Sequence, residues 1–322
     1  IVGTGGIIEG NLGTALVNVN TDAVLELDGD GDRIDFGDLT VLDGDGSWSQ
    51  SAWVKFAAGG DSSQKFAWKH DAFGLGYFSG VIRGYMYYSG GDTNTSYSLS
   101  PIGDGSWYHI AQTYDGSNLK LYVNGDLKDT ESLSSKTIPN VANGFQLSYA
   151  DAQFKGNIAD VRLYSSDLDA TEIGTLASKI GVDNSIVQSS DTRVGHWMLN
   201  VKNSGSLLAE SGFDASETDV SVDDGTDFID NDYQHILIDD EVMRVTGIST
   251  NVLTVAARSG ANLCGTSAAS HSDNAPIYII GLEDLSTNNN APTLVGDLTT
   301  PSGDIVYDAF SVNVQDHTTT TD

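Results

Sequence analysis

Residues 106–130, SWYHIAQTYDGSNLKLYVNGDLKDT, alternate apolar and polar side chains and are interrupted at Asp115-Gly-Ser-Asn118 and again at Asn124-Gly125. A period of two returns side chains to one face of a strand, and Asp-Gly and Asn-Gly supply the backbone freedom of a tight reversal. The segment therefore reads as two strands with a turn between them and a second turn after them. Trp107, His109, Ala111 and Thr113, followed by Leu119, Leu121 and Val123, are the faces expected to enter the space between two sheets. The same rhythm, broken by Gly, Asn or Asp at intervals of roughly 8–12 residues, fills nearly the whole chain, so the fold class is all-β. One short helix is predicted, over residues 167–177, from an acidic start and apolar spacing.

Four segments follow from the pattern. Residues 1–20 are a Gly-rich leader with one strand-like piece at 14–19, and residues 21–180 form a first β-sandwich domain. Residues 190–282 form a second, smaller β domain with strands near 235–238, 242–245 and 252–255. Residues 283–322 are a Ser/Thr/Asn linker, a strand over 304–314 and a Thr-rich tail. Some 40 residues with about two strands cannot bury a core of their own. The strand must dock on its own chain or on a neighbouring subunit by strand addition, with Ile305, Tyr307, Phe310 and Val312 setting the register.

Charge narrows the partners. Forty-five acidic residues face 15 basic ones, a formal net charge of -30, which repels a phosphate backbone and argues against nucleic acid. No apolar run approaches the roughly 20 residues of a spanning helix, so membrane insertion is not expected. The single cysteine, Cys264, rules out an intramolecular disulfide and a thiolate metal cluster. The chain opens at Ile1 rather than Met, read here as a processed or internal start.

Four ordered stretches carry a resemblance. They are VLELDGDGDRIDFG at 24–37, SWSQSAWVKF at 47–56, the 106–130 stretch, and FKGNIADVRLY at 154–164. Together, residues 22–176 resemble a laminin G-like, concanavalin A-type jelly roll. That resemblance implies a two-sheet sandwich and allows sugar binding, adhesion, a structural role or glycoside hydrolysis. Hydrolases of this shape usually carry Glu-x-Asp-x-x-Glu on one strand. Here Glu26-Leu-Asp28 is followed by Gly31 where the second glutamate would stand, which disfavours an enzyme. The resemblance also implies calcium between the first hairpin and the last strands, with Asp28, Asp30 and Asp160 as ligands. Asp28 and Asp160 equally suit turn-forming and strand-pairing positions. Asp28-Gly-Asp-Gly-Asp32 lacks the later glutamate of an EF-hand. His109 falls at a strand position common in the family and is expected to be a packed structural histidine.

Aromatic density from Trp68 to Tyr88 offers a carbohydrate platform, with Trp68, Tyr85 and Tyr87 as its contacts, although alternation also sends about half of these rings to the core. In the second domain, 235–276 resembles a β module of bacteriophage tail and virion structural proteins, and Arg258 and His271 there are expected to order a loop by hydrogen bonds. Asn94-Thr-Ser96 is an N-glycosylation sequon. Taken together, the sequence points first to a non-enzymatic structural subunit of an extracellular filament, fibre or virion surface, forming a homo-oligomer or polymer through its terminal strands. The alternative is a secreted carbohydrate-binding or adhesion protein that uses the jelly roll to grip glycans.

Overall fold

A computed structural model of the chain describes residues 23–24, 26–100, 102–178, 187, 192–210, 212–226, 228, 235–239, 241–256, 258, 268–280, 293–295 and 308–309. Among these the strands assemble into three antiparallel sheets. The first runs Asp126–Ser132, Asn118–Val123, Trp107–Tyr114, Trp48–Phe56, Lys155–Tyr164 and Arg193–Trp197, with Glu26–Asp28 also paired to Lys155–Tyr164. The second runs Thr293–Val295, Arg33–Asp35, Phe145–Leu147, Ser63–Lys69, Phe73–Phe78, Val81–Tyr88 and Gly91–Ser98.

These two sheets face each other across the main core, which holds Trp48, Phe56, Phe66, Phe73, Ile110 and Tyr114. This is the two-sheet jelly roll that the motifs of 22–176 imply. The inward face of the Trp107–Tyr114 strand is nevertheless the opposite of the one expected. Ile110 and Tyr114 enter the core with Tyr108, whereas Ala111 lies outside it, packed with Tyr122 against the helix Ala170–Leu176. Both faces of this strand are covered, so its own alternation cannot say which is inward. Cross-strand pairing does: Leu119, Leu121 and Val123 sit opposite Tyr114, Gln112 and Ile110 and so share their face. Gln112 ties the two sheets together, accepting from Gln50 Nε2 (2.8 Å) and donating to the Tyr85 carbonyl of the facing sheet (3.2 Å).

The helix is shorter than predicted because Asp169, inside the predicted span, is its cap. The Asp169 carboxylate accepts from the Thr171 and Glu172 amides, and Glu172 reaches back to the Asp169 amide, a complete capping box.

The third sheet runs Asp219–Ser221, Val252–Val255, Glu241–Ser249, His235–Ile238, Pro276–Ile280, Asn200–Leu207, Ala23–Val24 and Asp308–Ala309. Its His235–Ile238 strand is buried on both faces. Ile236, Ile238, Met243 and Val245 line a second core with Phe213 and Leu253, while Leu237 and Val242 join the main core. The chain passes between first and third sheets twice, at 24–26 and at 197–200, and the crossings lie together because Ala23 pairs with Val201.

Candidate functional site

The outer face of the second sheet gathers the aromatic residues marked in the sequence. Alternation sends Phe73 and Tyr77 into the core and leaves Trp68, Phe78, Tyr85 and Tyr87 outside it. Register brings these four together: Trp68 is opposite Gly74, and Gly74 is opposite Tyr85. Trp68 meets Tyr85 at 5.4 Å and Tyr87 at 6.3 Å, both edge-on, while Tyr85 and Tyr87 lie near-parallel at 6.3 Å. Gly74 makes this arrangement possible, since a Cβ there would fall 2.2 Å from the Trp68 ring.

Trp68 is only 2% exposed, so it is the floor of this face, and the partly exposed rings are Tyr85, Tyr87 and Phe78. Polar groups frame them. Lys65 Nζ lies 4.8 Å from the Trp68 ring centre and 4.6 Å from that of Tyr149, and pairs with Asp151 at 2.7 Å. Arg83 Nη1 donates to the Tyr85 hydroxyl at 3.0 Å, which leaves that hydroxyl's own proton to donate elsewhere. Burial, with Asp92 next in effect, pushes the Tyr87 phenol up, so it stays a neutral donor and acceptor at ordinary pH.

A further row escaped the sequence reading. On the edge strand Gly91–Ser98, Ser96, Asn94 and Asp92 pair directly with Arg83, Tyr85 and Tyr87, and therefore stand on the same face beside them. Their alternation in GDTNTSYS was the available signal. The sequon asparagine, Asn94, thus sits partly exposed next to Tyr85 rather than on a loop.

The three carboxylates named for calcium do not converge. Asp28 pairs with Lys155, five residues along its strand from Asp160. Asp28 Oδ1 accepts from the Asp30 amide at 2.6 Å, and the buried Asp32 carboxylate accepts from the Asp28 amide at 3.0 Å, so this loop is closed by its own side chains. Asp160 is buried at a bulge with φ 49° and is held by Arg162 Nε (2.7 Å) and His196 Nε2 (2.8 Å). Burial alone would raise its carboxyl, but Arg162 and then His196 outweigh that and hold it well below the usual range. A guanidinium already balances the charge a cation would need, and this set does not fit calcium. Among the described residues no group of three or more His, Cys, Asp and Glu has the arrangement of a metal site.

His109 is packed, as expected, 5.4 Å from Trp53 and 1% exposed, and burial pushes its imidazole down to about 3. In the third sheet, Arg258 and His271 meet on Glu241. Arg258 donates to both Glu241 oxygens (2.9 and 2.7 Å) and to the Ala269 carbonyl (2.6 Å), and lies over the Phe213 ring. His271 reaches Asp239 through Nδ1 (2.8 Å) and Glu241 through Nε2 (3.0 Å). Sequence reasoning named the two cations but missed the buried glutamate that joins them.

Ile305, Tyr307, Phe310 and Val312 lie outside the described residues. Of the strand expected at 304–314, Asp308–Ala309 is described, and it pairs antiparallel with Ala23–Val24 of the same chain. Among the described residues no helix is long and apolar enough to cross a membrane.

Residues 28–174 match the family model of the concanavalin A-like lectin/glucanases superfamily. No curated protein matches the sequence. Among solved structures, a Bacteroides ovatus protein ascribed a carbohydrate-binding role is 16% identical, with 63% of this chain and 55% of that one covered and a TM-score of 0.44. This chain thus spans little more than half of that protein. Domain 4 of a GH43 extracellular arabinanase from Geobacillus stearothermophilus, in complex with arabinotriose, is 24% identical over 48% of this chain and 76% of that one, with a TM-score of 0.36. The CBM40 of the Ruminococcus gnavus IT-sialidase, bound to α2,3-sialyllactose, is 16% identical over 48% and 96%, with a TM-score of 0.40.

Proposed function

We propose that this protein is a non-enzymatic carbohydrate-binding protein whose glycan lies on the outer face of the second sheet. One observation carries the reading: cross-strand register gathers Tyr85 and Tyr87, partly exposed, over the buried Trp68, with hydrogen-bonding side chains on both flanks. A sugar offers C–H surface to aromatic rings and hydroxyls to polar neighbours, which is the mixture this face presents. The match of 28–174 to a lectin and glucanase superfamily supports the same direction. Assembly through terminal strands was the first sequence reading, but the described part of the C-terminal strand closes onto its own chain.

The test is a glycan array with the full chain and with the Tyr85→Ala/Tyr87→Ala double variant. Specific binding by the native chain, reduced at least about tenfold in the variant, is the expected result, since each lost contact of this kind removes roughly 0.5–1.5 kcal/mol. Native binding that survives the double substitution unchanged would move the site elsewhere.

A further inference from the structure

The face has a direction as well as a composition. Tyr85 and Tyr87 are two residues apart on one strand, and Ser96, Asn94 and Asp92 repeat at the same interval on the next, each opposite Arg83, Tyr85 or Tyr87. Two strand residues span about 6.6–6.8 Å, and cross-strand neighbours stand about 4.5–5.5 Å apart. The result is two parallel rows, one of Arg83 and the two rings and the other of hydrogen-bonding side chains, each repeating along the strand axis. A compact single sugar would engage one rung of this ladder. A chain of units laid along the strands would engage successive rungs in the same way.

Charge selects among chains. Lys65 is paired with Asp151 at 2.7 Å, His70 with Asp71 at 3.0 Å, and Arg83 is bonded to the Tyr85 hydroxyl. The exposed end of the polar row is a carboxylate, Asp92, on a chain of net charge -30. An acidic polysaccharide meets the repulsion of the chain's net charge at long range and of Asp92 at the face itself, while Arg83, whose Tyr85 partner is neutral, is the one cation of the two rows.

We propose that this face binds an unbranched, uncharged glycan running along the Val81–Tyr88 and Gly91–Ser98 strands over at least two consecutive sugar units, with Asp92, Asn94 and Ser96 selecting its hydroxyls. This rests on the reading of the face as a carbohydrate site. Isothermal titration of the full chain should use neutral linear oligosaccharides of one to six units (gluco-, xylo-, manno- and arabino-series), with oligogalacturonates as the acidic series.

Affinity in one neutral series should rise at least about tenfold from one unit to three. Asn94→Ala should cost about three- to tenfold, the loss of one or two hydrogen bonds, with an unchanged melting temperature. A monosaccharide that binds as tightly as its oligomers, a preference for the acidic series, or an Asn94→Ala variant with native affinity would each overturn the ladder while leaving carbohydrate binding in place. Failure to bind any of these sugars, or any glycan on the array, would overturn both.

Discussion

At the scale of single residues, His271 is the most informative side chain of the third sheet, because a carboxylate oxygen faces each ring nitrogen. Carboxylates only accept, so both nitrogens must donate and the ring is held as an imidazolium. Burial works against that charge, yet Glu241 and Asp239 prevail and raise the pKa above its ordinary 6.5. A raised histidine stabilises fully below the unfolded pKa and loses that contribution as pH rises through the folded value. Glu241 acts in the opposite sense. Burial would raise it, but His271 and Arg258 bring it down to about 2, so its contribution is present above 4.5 and lost as pH falls toward 2. For this pair alone the favourable window therefore lies near pH 4.5–6.5. His109 slopes the other way, since an imidazole buried neutral opposes folding once the unfolded chain protonates below 6.5. Native-minus-His271→Gln differences in melting temperature across pH 4–9 isolate the first effect. They should be largest below pH 6.5 and shrink with rising pH, and a flat difference would refute the imidazolium. Arg258→Ala should be harsher, about 3 kcal/mol by chemical denaturation, because the buried Glu241 would lose its bidentate partner and keep only His271 and the Ala269 amide.

Among the elements, the Phe73–Phe78 strand does the most to shape the candidate site, and it does so by what it lacks. Gly74 and Gly76 occupy its outward positions, and Cβ atoms there would strike Trp68 at 2.2 Å and Phe78 at 2.7 Å. Gly74→Ala should therefore lift Trp68 from its seat, destabilise the chain by about 1–3 kcal/mol and weaken glycan affinity together. A variant that keeps native near-ultraviolet dichroism and native affinity would show that the ring can shift at no cost. The aromatic run was visible in the sequence, and so was the expectation that about half of its rings turn inward, but which ones do was not, and Trp68, read as a contact, is buried. The cap at Asp169 was covered by the predicted helix, though not singled out. Invisible were features fixed by partners distant in sequence. The phase of Trp107–Tyr114 depends on which covered face meets the second sheet, and Asp160 meets His196 only because Arg193–Trp197 pairs alongside. The separation of Asp28 from Asp160 has the same origin: carboxylate spacing says nothing about a guanidinium two residues on.

At the scale of the whole molecule, the first and third sheets meet at a seam. Ala23–Val24 belongs to the third sheet and Glu26–Asp28 to the first, while Arg193–Trp197 extends the first and Asn200–Leu207 the third. Two adjacent crossings hold the jelly roll to the smaller β unit, Thr293–Val295 adds a strand of the later chain to the second sheet beside Arg33–Asp35, and side chains reinforce the joint. Trp197 is fully buried against Phe36 (4.1 Å between ring centres) and Phe145 (6.1 Å), and Leu199, Leu237 and Val242 fill the same core. A boundary drawn at residue 180 therefore removes part of the jelly roll's own interior. Trp197→Ala should cost about 3–5 kcal/mol, the usual range for an aromatic deleted from a packed core. Because Leu237 and Val242 of the third sheet share that core, the loss should appear in both units. Amide exchange at Ile110–Val123 and at Ile236–Val245 should accelerate together, and denaturant unfolding of the native chain should be a single transition by fluorescence and by far-ultraviolet dichroism. Two separated transitions, with Trp197→Ala moving only one, would mean that the seam joins the units without coupling them.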